Sequence, residues 1–422
     1  MLIMKKVAIF TTFYEAESGY SLIAVTEGQL KSLIAHNYDP IVLVQENFSF
    51  PKNNQLWQKE HVDIRPVVPF LHLNRGVVDD FETRASSIQN VLRTNLKDVD
   101  VCITHDIVLQ DYYKEHNVAM RNYAKERPDL LWLHWIHSCP TPAKDVKEYP
   151  EDCRYSPPPG YIIYPNYTDS ALVQQTYKLE GLEWKVKTHR HCLDILDSYT
   201  YDNLTKDLAK ASGMLDAELS IVYPIRLDRG KQPEKIIRLV AGLNRLSFKT
   251  NLLIVDWQSS GSEFQKYIDE LIILTDELGI KDRVNFTSRL DDRCSQGIPR
   301  KNVLELLDLS NVYIHPSRIE TYSLVVHEAI LRNNLVVLNH DLPVMSELFG
   351  DTAIYMDFGS DRHSRTYHPT EQDFWNDEAK RLISEYKQNR SLVARTKAKL
   401  NWSPSALWKD FEPLLYLTPI GE

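Results

Sequence analysis

Residues 312–338 read VYIHPSRIETYSLVVHEAILRNNLVVL, which is an apolar run, a helix-like segment and a second apolar run. Short runs such as 312–314 and 335–338, in which apolar residues do not alternate with polar ones, are typical of strands that are buried on both faces. A helix between two such strands predicts that the strands pair in parallel. The stretch therefore predicts one strand–helix–strand unit of a parallel α/β sheet.

Similar apolar runs recur along the chain in two sets. The first set lies at 7–10, 41–44, 101–104, 130–133 and 161–164, and the second at 221–223, 252–255, 284–286, 312–314 and 335–338. A polar, helix-like stretch at 201–210 separates the two sets. We therefore predict two Rossmann-like domains, 1–212 and 213–400, followed by a C-terminal segment, 401–422.

The composition is that of a globular protein without a disulfide framework. The 422 residues are 43% hydrophobic and 25% charged, with a formal net charge of −9, which excludes a largely disordered chain. The five cysteines are odd in number and include no C-x-x-C pair, so we expect a reduced, cytoplasmic protein without a zinc site. No run approaches the roughly 18 apolar residues of a membrane span, and no signal-peptide pattern precedes the first strand. The oligomeric state is left open.

Two carboxylates frame the start of the helix in the opening stretch. Glu320 and Glu328 are eight residues apart, or about 12 Å along a helix, and the amides of 321–325 lie at its positive end. Such a pair could hold two hydroxyl-rich parts of one nucleotide-sugar, with the diphosphate on the amides. An ordinary helix, capped by Ser323 and with Glu328 in solvent, is an equally simple interpretation.

A pair of cations marks another strand-to-helix turn. Arg226 and Lys231 are five residues apart, between the run at 221–223 and a helical segment at 233–246. Two cations at such a turn could clamp a diphosphate and compensate the charge of a leaving group. Charged turns are common, so the two cations predict a diphosphate site only when they are considered together with the two glutamates.

Together, the two turns resemble the donor-binding half of retaining GT-B glycosyltransferases of family 4. The family pattern is roughly G-R-L-x-x-x-K-G after the first strand of the C-terminal domain and P-S-x-x-E-G-F-G-L-x-x-x-E-A further on. Arg226, Lys231, Glu320 and Glu328 stand at its arginine, lysine and two glutamate positions. The resemblance spans about 215–360.

The sequence also departs from this pattern. The E-G-F-G of the family is Glu320-Thr321-Tyr322-Ser323 here, so both glycines that let a donor approach the backbone are absent. The family's G-x-G after the next strand is replaced by Asp256-Trp257-Gln258. The departures leave the donor and its pocket open and allow an alternative function, a non-catalytic nucleotide-sugar-binding protein.

The resemblance implies a fold, an activity and a set of site residues. The fold is GT-B, with two Rossmann-like parallel-sheet domains facing a central cleft and a C-terminal helix that crosses back to the first domain. The activity is metal-independent, retaining transfer from a nucleotide-sugar, with a UDP- or GDP-sugar as the expected donor, to a hydroxyl of a glycan or lipid. No cofactor is expected. The implied donor-binding residues are Gly19, Arg226, Lys231, Glu320, Thr321, Tyr322, Ser323, Leu324 and Glu328, and the implied catalytic residues are His137, Arg226, Lys231 and Glu320.

Strand ends of the first domain supply further candidates. His137 follows a predicted strand and matches the family histidine near the reacting centre, with His105-Asp106 at another strand end as the runner-up. His134 lies earlier and is predicted to be a packed strand residue. Asp98-Val99-Asp100 has the form of a D-x-D metal motif, but it precedes a strand and is predicted to be a solvated turn.

The most basic window of the chain is a candidate acceptor site. It spans 184–194 and contains Lys185, Lys187 and Arg190, which could meet an anionic acceptor. A solvated turn is the simpler interpretation.

The C-terminal segment contains a predicted amphipathic helix. The helix is expected to begin at Ser403-Pro404 and to carry Trp408 and Phe411 on one face. Pro413 is expected to end or kink it and to leave Leu414-Leu415 as an irregular tail that extends the apolar surface.

Two other functions remain in competition. The 22 tyrosines, few glycines and acidic balance suggest a phage DNA glycosyltransferase that acts on hydroxymethylated bases. An NAD-dependent dehydrogenase is disfavoured because no G-x-G-x-x-G follows any predicted strand.

Overall fold

The computed structural model describes residues 5–16, 21–51, 54–58, 62–70, 79–138, 156–192, 194–196, 198–257, 262–359 and 372–420. The chain divides into two compact units: unit 1 comprises 1–194 and 402–422, and unit 2 comprises 195–401.

Unit 1 is built on a seven-stranded sheet of order β3-β2-β1-β4-β5-β6-β7, in which all pairs are parallel. Its strands are β1 (Val7–Phe10), β2 (Ile41–Gln45), β3 (Asp63–Val68), β4 (Val101–His105), β5 (Leu131–Trp135), β6 (Tyr161–Tyr164) and β7 (Val186–Thr188). The helices between them are α1 (Ser21–Ala35), α2 (Phe81–Asn95), α3 (Lys114–Glu126) and α4 (Ser170–Thr176). Alternate residues of β1 join the apolar clusters on opposite faces of the sheet, which is why the strand reads as a continuous apolar run.

Unit 2 is built on a six-stranded parallel sheet of order β10-β9-β8-β11-β12-β13. Its strands are β8 (Leu219–Arg226), β9 (Thr250–Trp257), β10 (Val284–Phe286), β11 (Val312–His315), β12 (Leu335–Asn339) and β13 (Ile354–Met356). Its helices are α5 (Asn203–Ala211), α6 (Pro233–Arg245), α7 (Ser262–Glu277), α8 (Thr287–Leu290), α9 (Arg300–Leu309), α10 (Leu324–Leu331), α11 (Pro343–Phe349), α12 (Gln372–Gln388) and α13 (Arg390–Trp402). The two parallel α/β sheets predicted from the sequence are confirmed.

The start of unit 2 lies earlier than the predicted seam at 212/213. The unit begins at Ile195, and Leu208 of α5 belongs to its apolar core. The hydroxyl of Thr205 also donates to Glu305 of α9 at 2.6 Å. The polar stretch is therefore a helix that covers unit 2 with its apolar face.

The last helix, α14 (Pro404–Leu415), packs on unit 1 as predicted. The ring of Trp408 stacks on His36, which directly follows α1, at 3.8 Å, and Phe411 meets Trp135 of β5 edge-on at 5.8 Å. The hydroxyl of Ser403 caps the helix by accepting from the amide of Ala406 at 3.2 Å.

The prediction that Leu414-Leu415 form an irregular tail after Pro413 is wrong. The helix continues to Leu415, and Leu414 and Leu415 are buried in the core of unit 1. Proline in a helix costs about 3 kcal/mol through its missing N–H and its ring. Burial of two leucines, each worth about 1.5–3 kcal/mol, offsets that cost.

Lys399 of α13 is buried in the core of unit 2. Its Nζ donates to the carbonyl of Met214 at 2.9 Å and to the hydroxyl of Ser220 at 3.0 Å. A neutral amine has two N–H donors, so these two acceptors satisfy the unprotonated form. Burial lowers the pKa of Lys399 to about 7.

We expect Lys399 to make unit 2 more stable as the pH rises from 7 towards 10.5. In that interval the unfolded chain holds a proton on Lys399 that the folded chain has released, so raising the pH favours the folded state. The contribution is at most about 1.4 kcal/mol per pH unit. Urea unfolding at several pH values should show this slope, and Lys399→Met should remove it, whereas the exposed Lys397→Met should keep it. An unchanged slope in Lys399→Met would show that Lys399 is protonated in the fold.

Two further observations concern the cysteines and the helices of the described part of the chain. Cys102, Cys192 and Cys294 are buried free thiols. Among the described residues, no helix combines the length and apolar character that crossing a membrane requires.

Candidate active site

The predicted donor residues of unit 2 lie at the carboxyl ends of β8 and β11. These strands are neighbours in the sheet, and parallel strands present their carboxyl ends at one edge, where ligands bind in open α/β sheets. Lys231 lies in the turn between β8 and α6, and Glu320 lies in the loop between β11 and α10. The structure brings the two together, with Lys231 Nζ 3.3 Å from Glu320 Oε2.

Glu320 is the centre of a small charged network. Its Oε2 also lies 3.3 Å from Nε2 of His315, and its Oε1 accepts from the amide of Thr321 at 3.2 Å. Hydrogen bonding by His315 and the charge of Lys231 outweigh partial burial and lower the pKa of Glu320 to about 2. Glu320 is therefore ionised at neutral pH.

His315 is a site residue that the sequence reasoning missed. It ends β11 and is buried, and its Nδ1 lies 3.2 Å from the hydroxyl oxygen of Tyr313. Burial lowers the pKa of His315, which favours the neutral ring. Its position at the end of a strand was a usable signal, but the run Val312–His315 reads only as a buried strand.

Arg226 lies at the same strand end but is oriented differently. Its guanidinium is exposed and stands 5.9 Å from the centre of the Phe264 ring of α7. Among the described residues it makes no ion pair with Glu320 or Glu328. Its cation is thus open to solvent at the edge where the diphosphate was predicted.

The loop from Thr321 to Leu324 turns through a left-handed residue. Ser323 stands at the second glycine position of the family's E-G-F-G and has φ 61°, which explains why glycine suits that position. The predicted capping by Ser323 is absent, since its side chain makes no cap hydrogen bond. Helix α10 begins at Leu324, so the amides of Leu324 and Val325 precede its first hydrogen bond, in which the amide of Val326 donates to the carbonyl of Ser323 at 3.2 Å. Tyr322 is half exposed and stacks on His327 at 4.7 Å.

Glu328 is held by an arginine and is not simply solvated. Nε of Arg300, at the start of α9, donates to Glu328 Oε1 at 3.0 Å. The Glu328 side chain is 18% exposed, whereas that of Arg300 is 74% exposed. Within the described part of the chain, Oε2 of Glu328 has no hydrogen bond, so one carboxylate oxygen remains for a ligand.

The histidines of unit 1 form a continuous chain at the strand ends. Nε2 of His137 lies 2.8 Å from Nδ1 of His105, and Nδ1 of His137 lies 3.2 Å from Nε2 of His191. Nε2 of His105 lies 3.1 Å from Oε1 of Gln29 in α1. Burial lowers the pKa of His137 to about 2 and that of His105 to about 3. Both ring nitrogens of His137 are therefore engaged, and a ring contact to a sugar would require one of these bonds to open.

The main and runner-up histidine candidates thus belong to one cluster. Asp106, at φ 54°, accepts from the amide of His137 at 2.8 Å, and burial raises the pKa of Asp106 to about 6. His191 and Gln29 were missed as site residues. His191 lies in the basic window and was visible in the sequence, but its pairing with His137 was not.

The three predicted acceptor cations differ in exposure. Lys185 is buried, and its Nζ donates to the carbonyl of Pro158 at 3.4 Å. Lys187 lies 5.7 Å from the centre of the Tyr161 ring, and Arg190 is exposed. Of the three, Arg190 is exposed, Lys187 is partly buried and Lys185 is buried, so an exposed basic surface would not include Lys185.

Four smaller predictions have different outcomes. Gly19 lies outside the described residues. His134 is a buried strand residue, with its ring nitrogens 2.8 Å from Thr104 Oγ1 and 2.8 Å from the Pro159 carbonyl. Asp100 lies in a turn before β4, where it accepts from the amide of Lys6 at 2.7 Å. In the part of the chain that the structure describes, no group of three or more His, Cys, Asp or Glu residues is arranged to hold a metal ion.

Residues 206–398 match the family Glycosyl transferases group 1. This range spans most of unit 2 and contains Arg226, Lys231, Glu320 and Glu328. The two parallel-sheet units and the helix that returns to the first of them are those of a GT-B fold. The match supports the prediction that this protein is a glycosyltransferase.

Solved structures resemble the chain over nearly its whole length. HepE of Anabaena in complex with UDP-glucose is 13% identical, with 98% of this chain and 99% of that chain covered and a TM-score of 0.36. The catalytic domain of starch synthase IV from Arabidopsis thaliana bound to ADP and acarbose is 12% identical, with coverage of 97% and 98% and a TM-score of 0.36. Sucrose-phosphate synthase from Thermosynechococcus elongatus is 14% identical, with coverage of 97% and 98% and a TM-score of 0.35. The comparison with curated proteins found no match.

Proposed function

We propose that the chain is a retaining, metal-independent glycosyltransferase similar to family 4, which moves a sugar from a nucleotide-sugar to an acceptor hydroxyl. The observation that carries this proposal is the Lys231–Glu320 pair, 3.3 Å apart at the carboxyl edge of a glycosyl transferases group 1 domain. The two side chains suit the two halves of such a donor. The cation of Lys231 complements the anionic diphosphate, and the ionised carboxylate of Glu320 can accept hydrogen bonds from the hydroxyls of the neutral sugar.

In the proposed reaction the diphosphate is both leaving group and base. The bond between the anomeric carbon and the phosphate oxygen breaks, and the acceptor oxygen bonds to that carbon from the same face. The acceptor's proton passes to the departing diphosphate, so no carboxylate nucleophile is required. Lys231, Arg226 and the first-turn amides of α10 stabilise the developing negative charge.

Glu320 and Glu328 orient the donor in this proposal. Glu320 accepts hydrogen bonds from sugar hydroxyls, and its low pKa keeps it an acceptor at neutral pH. When the diphosphate binds, it competes with Glu320 for Lys231 and leaves carboxylate oxygens to the sugar. The free Oε2 of Glu328 accepts from the ribose. The donor is proposed to be a UDP- or GDP-sugar, and the acceptor a glycan or lipid.

The buried thiols support a reducing compartment. Disulfides are rare where thiols are kept reduced, and the described cysteines are all free. We therefore propose that the enzyme acts in the cytoplasm.

The proposal is tested by offering pooled nucleotide-sugars with glycan, lipid and hydroxymethylated-DNA acceptors and identifying products by mass spectrometry. We expect transfer that persists in EDTA, and an unchanged anomeric configuration in the product by NMR. Loss of turnover in EDTA that Mg²⁺ or Mn²⁺ restores would contradict metal independence. If the protein binds the donor but neither transfers the sugar nor slowly releases the nucleotide, the non-catalytic alternative is favoured. The replacement of a family glycine by Ser323 is the observation behind that alternative.

Glu328→Ala should weaken nucleoside-diphosphate binding at least about tenfold, since a ribose hydroxyl would lose its acceptor; about 1.4 kcal/mol gives that factor. Calorimetry with UDP, GDP and ADP measures the change. Arg300→Ala leaves the carboxylate in place and should cost less. The exposed Glu385→Ala on α12 is the matched control. Equal losses in Glu328→Ala and Arg300→Ala would mean that Glu328 serves only as a partner of Arg300.

A further inference from the structure

Gln232 follows Lys231 directly and has an unusual backbone conformation. Its φ and ψ are 49° and 46°, in the left-handed region, which costs a residue with a side chain about 1–2 kcal/mol. The family pattern has glycine at this position, after its lysine. Gln232 is nevertheless almost completely buried, so its side chain has a fixed environment.

The side-chain amide of Gln232 joins two loops. Its Nε2 donates to the carbonyl of Pro316 at 2.6 Å and to the carbonyl of Phe358 at 3.0 Å. Pro316 follows β11 and Phe358 follows β13, so both loops leave the carboxyl edge of the sheet. Both N–H groups of the amide are used, and each satisfies a backbone carbonyl.

A second buried amide joins the same two loops one residue further on. Nδ2 of Asn339, at the end of β12, donates to the carbonyl of Ser317 at 2.9 Å and to that of Gly359 at 2.6 Å. Its Oδ1 accepts from the amide of Phe358 at 3.3 Å. Gln232 and Asn339, here called the amide pair, thus bind consecutive carbonyls of both loops.

Two further bonds connect the amide pair to the candidate site. The amide of Arg318 donates to the carbonyl of Gly230 at 2.9 Å, and the hydroxyl of Tyr223 donates to the carbonyl of Lys231 at 2.7 Å. The backbone before Glu320 and the backbone around Lys231 are therefore fixed to each other. The side-chain N–H groups of the amide pair all have carbonyl acceptors, and a buried network with its donors satisfied holds its parts rigidly.

We propose that the amide pair positions Lys231 and Glu320 for the donor diphosphate and sugar. Gln232 and Asn339 do not touch the donor; they act through the loops that carry the two charged side chains. The strain at Gln232 is offset by its two hydrogen bonds, which glycine could not make. This proposal rests on the proposed function, since it assigns a role relative to a bound nucleotide-sugar.

The test combines Gln232→Gly, Asn339→Asp and the double variant. Glycine suits the left-handed backbone and removes only the side-chain bonds, so the fold should persist. Aspartate keeps the shape of asparagine but cannot donate. We expect each single variant to lose about tenfold or more in affinity for the tightest binder among UDP, GDP and ADP, and in kcat/KM for the corresponding sugar donor. The double variant should lose less than the product of the single losses, because both amides act on the same loops.

Asn334→Asp is the matched control. Nδ2 of Asn334 donates to the carbonyls of Leu307 at 2.8 Å and Ala329 at 3.3 Å, but Asn334 precedes β12 and lies at the other end of the strand. This variant should lower the unfolding temperature and leave affinity within about twofold of the wild type.

Two results would overturn the positioning role: affinity and kcat/KM within about twofold of the wild type in Gln232→Gly, or an equal loss of affinity in Asn334→Asp. Lys231→Ala is measured in parallel. If Lys231→Ala binds the nucleotide as well as the wild type does, the proposed function fails, and the positioning role fails with it. If Lys231→Ala loses binding and Gln232→Gly does not, only the positioning role fails.

Discussion

Lys231→Ala should lower kcat for sugar transfer about 100- to 1,000-fold, the range for removal of one preorganised group that stabilises developing charge. Lys231 Nζ lies at the carboxyl edge of unit 2, 3.3 Å from Glu320, where a departing diphosphate would meet it. Single-turnover kinetics with the donor identified by mass spectrometry give the measurement. The exposed Lys301, which pairs with Glu305 on α9 at 3.6 Å, provides a control lysine-to-alanine variant.

Lys231→Arg should also impair turnover, although it keeps the charge. A guanidinium is planar and presents its donors in a fixed fork, whereas an ammonium is compact. The carbonyl of Lys231 is fixed by Tyr223, so the backbone cannot readily shift to accommodate the longer group. Full activity in both variants would remove Lys231 from the reaction.

The second large effect is expected at Phe411, whose replacement by alanine should reduce the free energy of unfolding of unit 1 by about 3–5 kcal/mol. The ring is buried between Trp135 and Trp408, with ring centres 5.8 and 5.7 Å away, so truncation leaves a cavity in a packed core. Urea unfolding followed by hydrogen exchange in β1 and β5 reports on unit 1. Trp402→Ala removes an aromatic ring that is 41% exposed and should change stability by less than about 0.5 kcal/mol. A loss below about 1 kcal/mol in Phe411→Ala would mean that α14 contributes little to unit 1.

The strands that sequence reasoning found and missed differ in their position in the sheets. Each of the ten apolar runs lies in or overlaps a strand. Nine of these strands have neighbours on both sides and are buried on both faces, whereas β10 lies at a sheet edge. The missed strands are β3, β7 and β13, and each lies at an edge of its sheet. β3 includes Asp63 and Pro66, and β7 includes Lys187, which suit a strand with one free side. The edge strands β3 and β7 therefore lack the continuous apolar signal, whereas the three-residue edge strand β13 is apolar throughout.

The charged candidate residues were recognisable because each lies close to a strand end in the sequence. Lys231 and Glu320 each lie within a few residues of a strand end, and the parallel sheet places those ends together. The histidine chain was not recognisable as a chain, since 32 residues separate His105 from His137 and 54 separate His137 from His191. The contacts of the amide pair are even harder to predict from the sequence, because the partners of Gln232 are backbone carbonyls 84 and 126 residues away. Backbone carbonyls have no sequence signature.

Because α14 packs on unit 1, the cores of the two units are completed in a fixed order during synthesis. Residues 195–401 form one uninterrupted stretch, so unit 2 has its whole core as soon as that stretch has left the ribosome. The first 194 residues are synthesised earlier, yet they lack Trp408, Phe411 and Leu415 from their core until the last helix emerges. Domains commonly fold during synthesis from the N-terminus onward; here the part made first is the part completed last. A truncated chain that lacks α14 would leave an apolar surface of unit 1 exposed to chaperones and proteases.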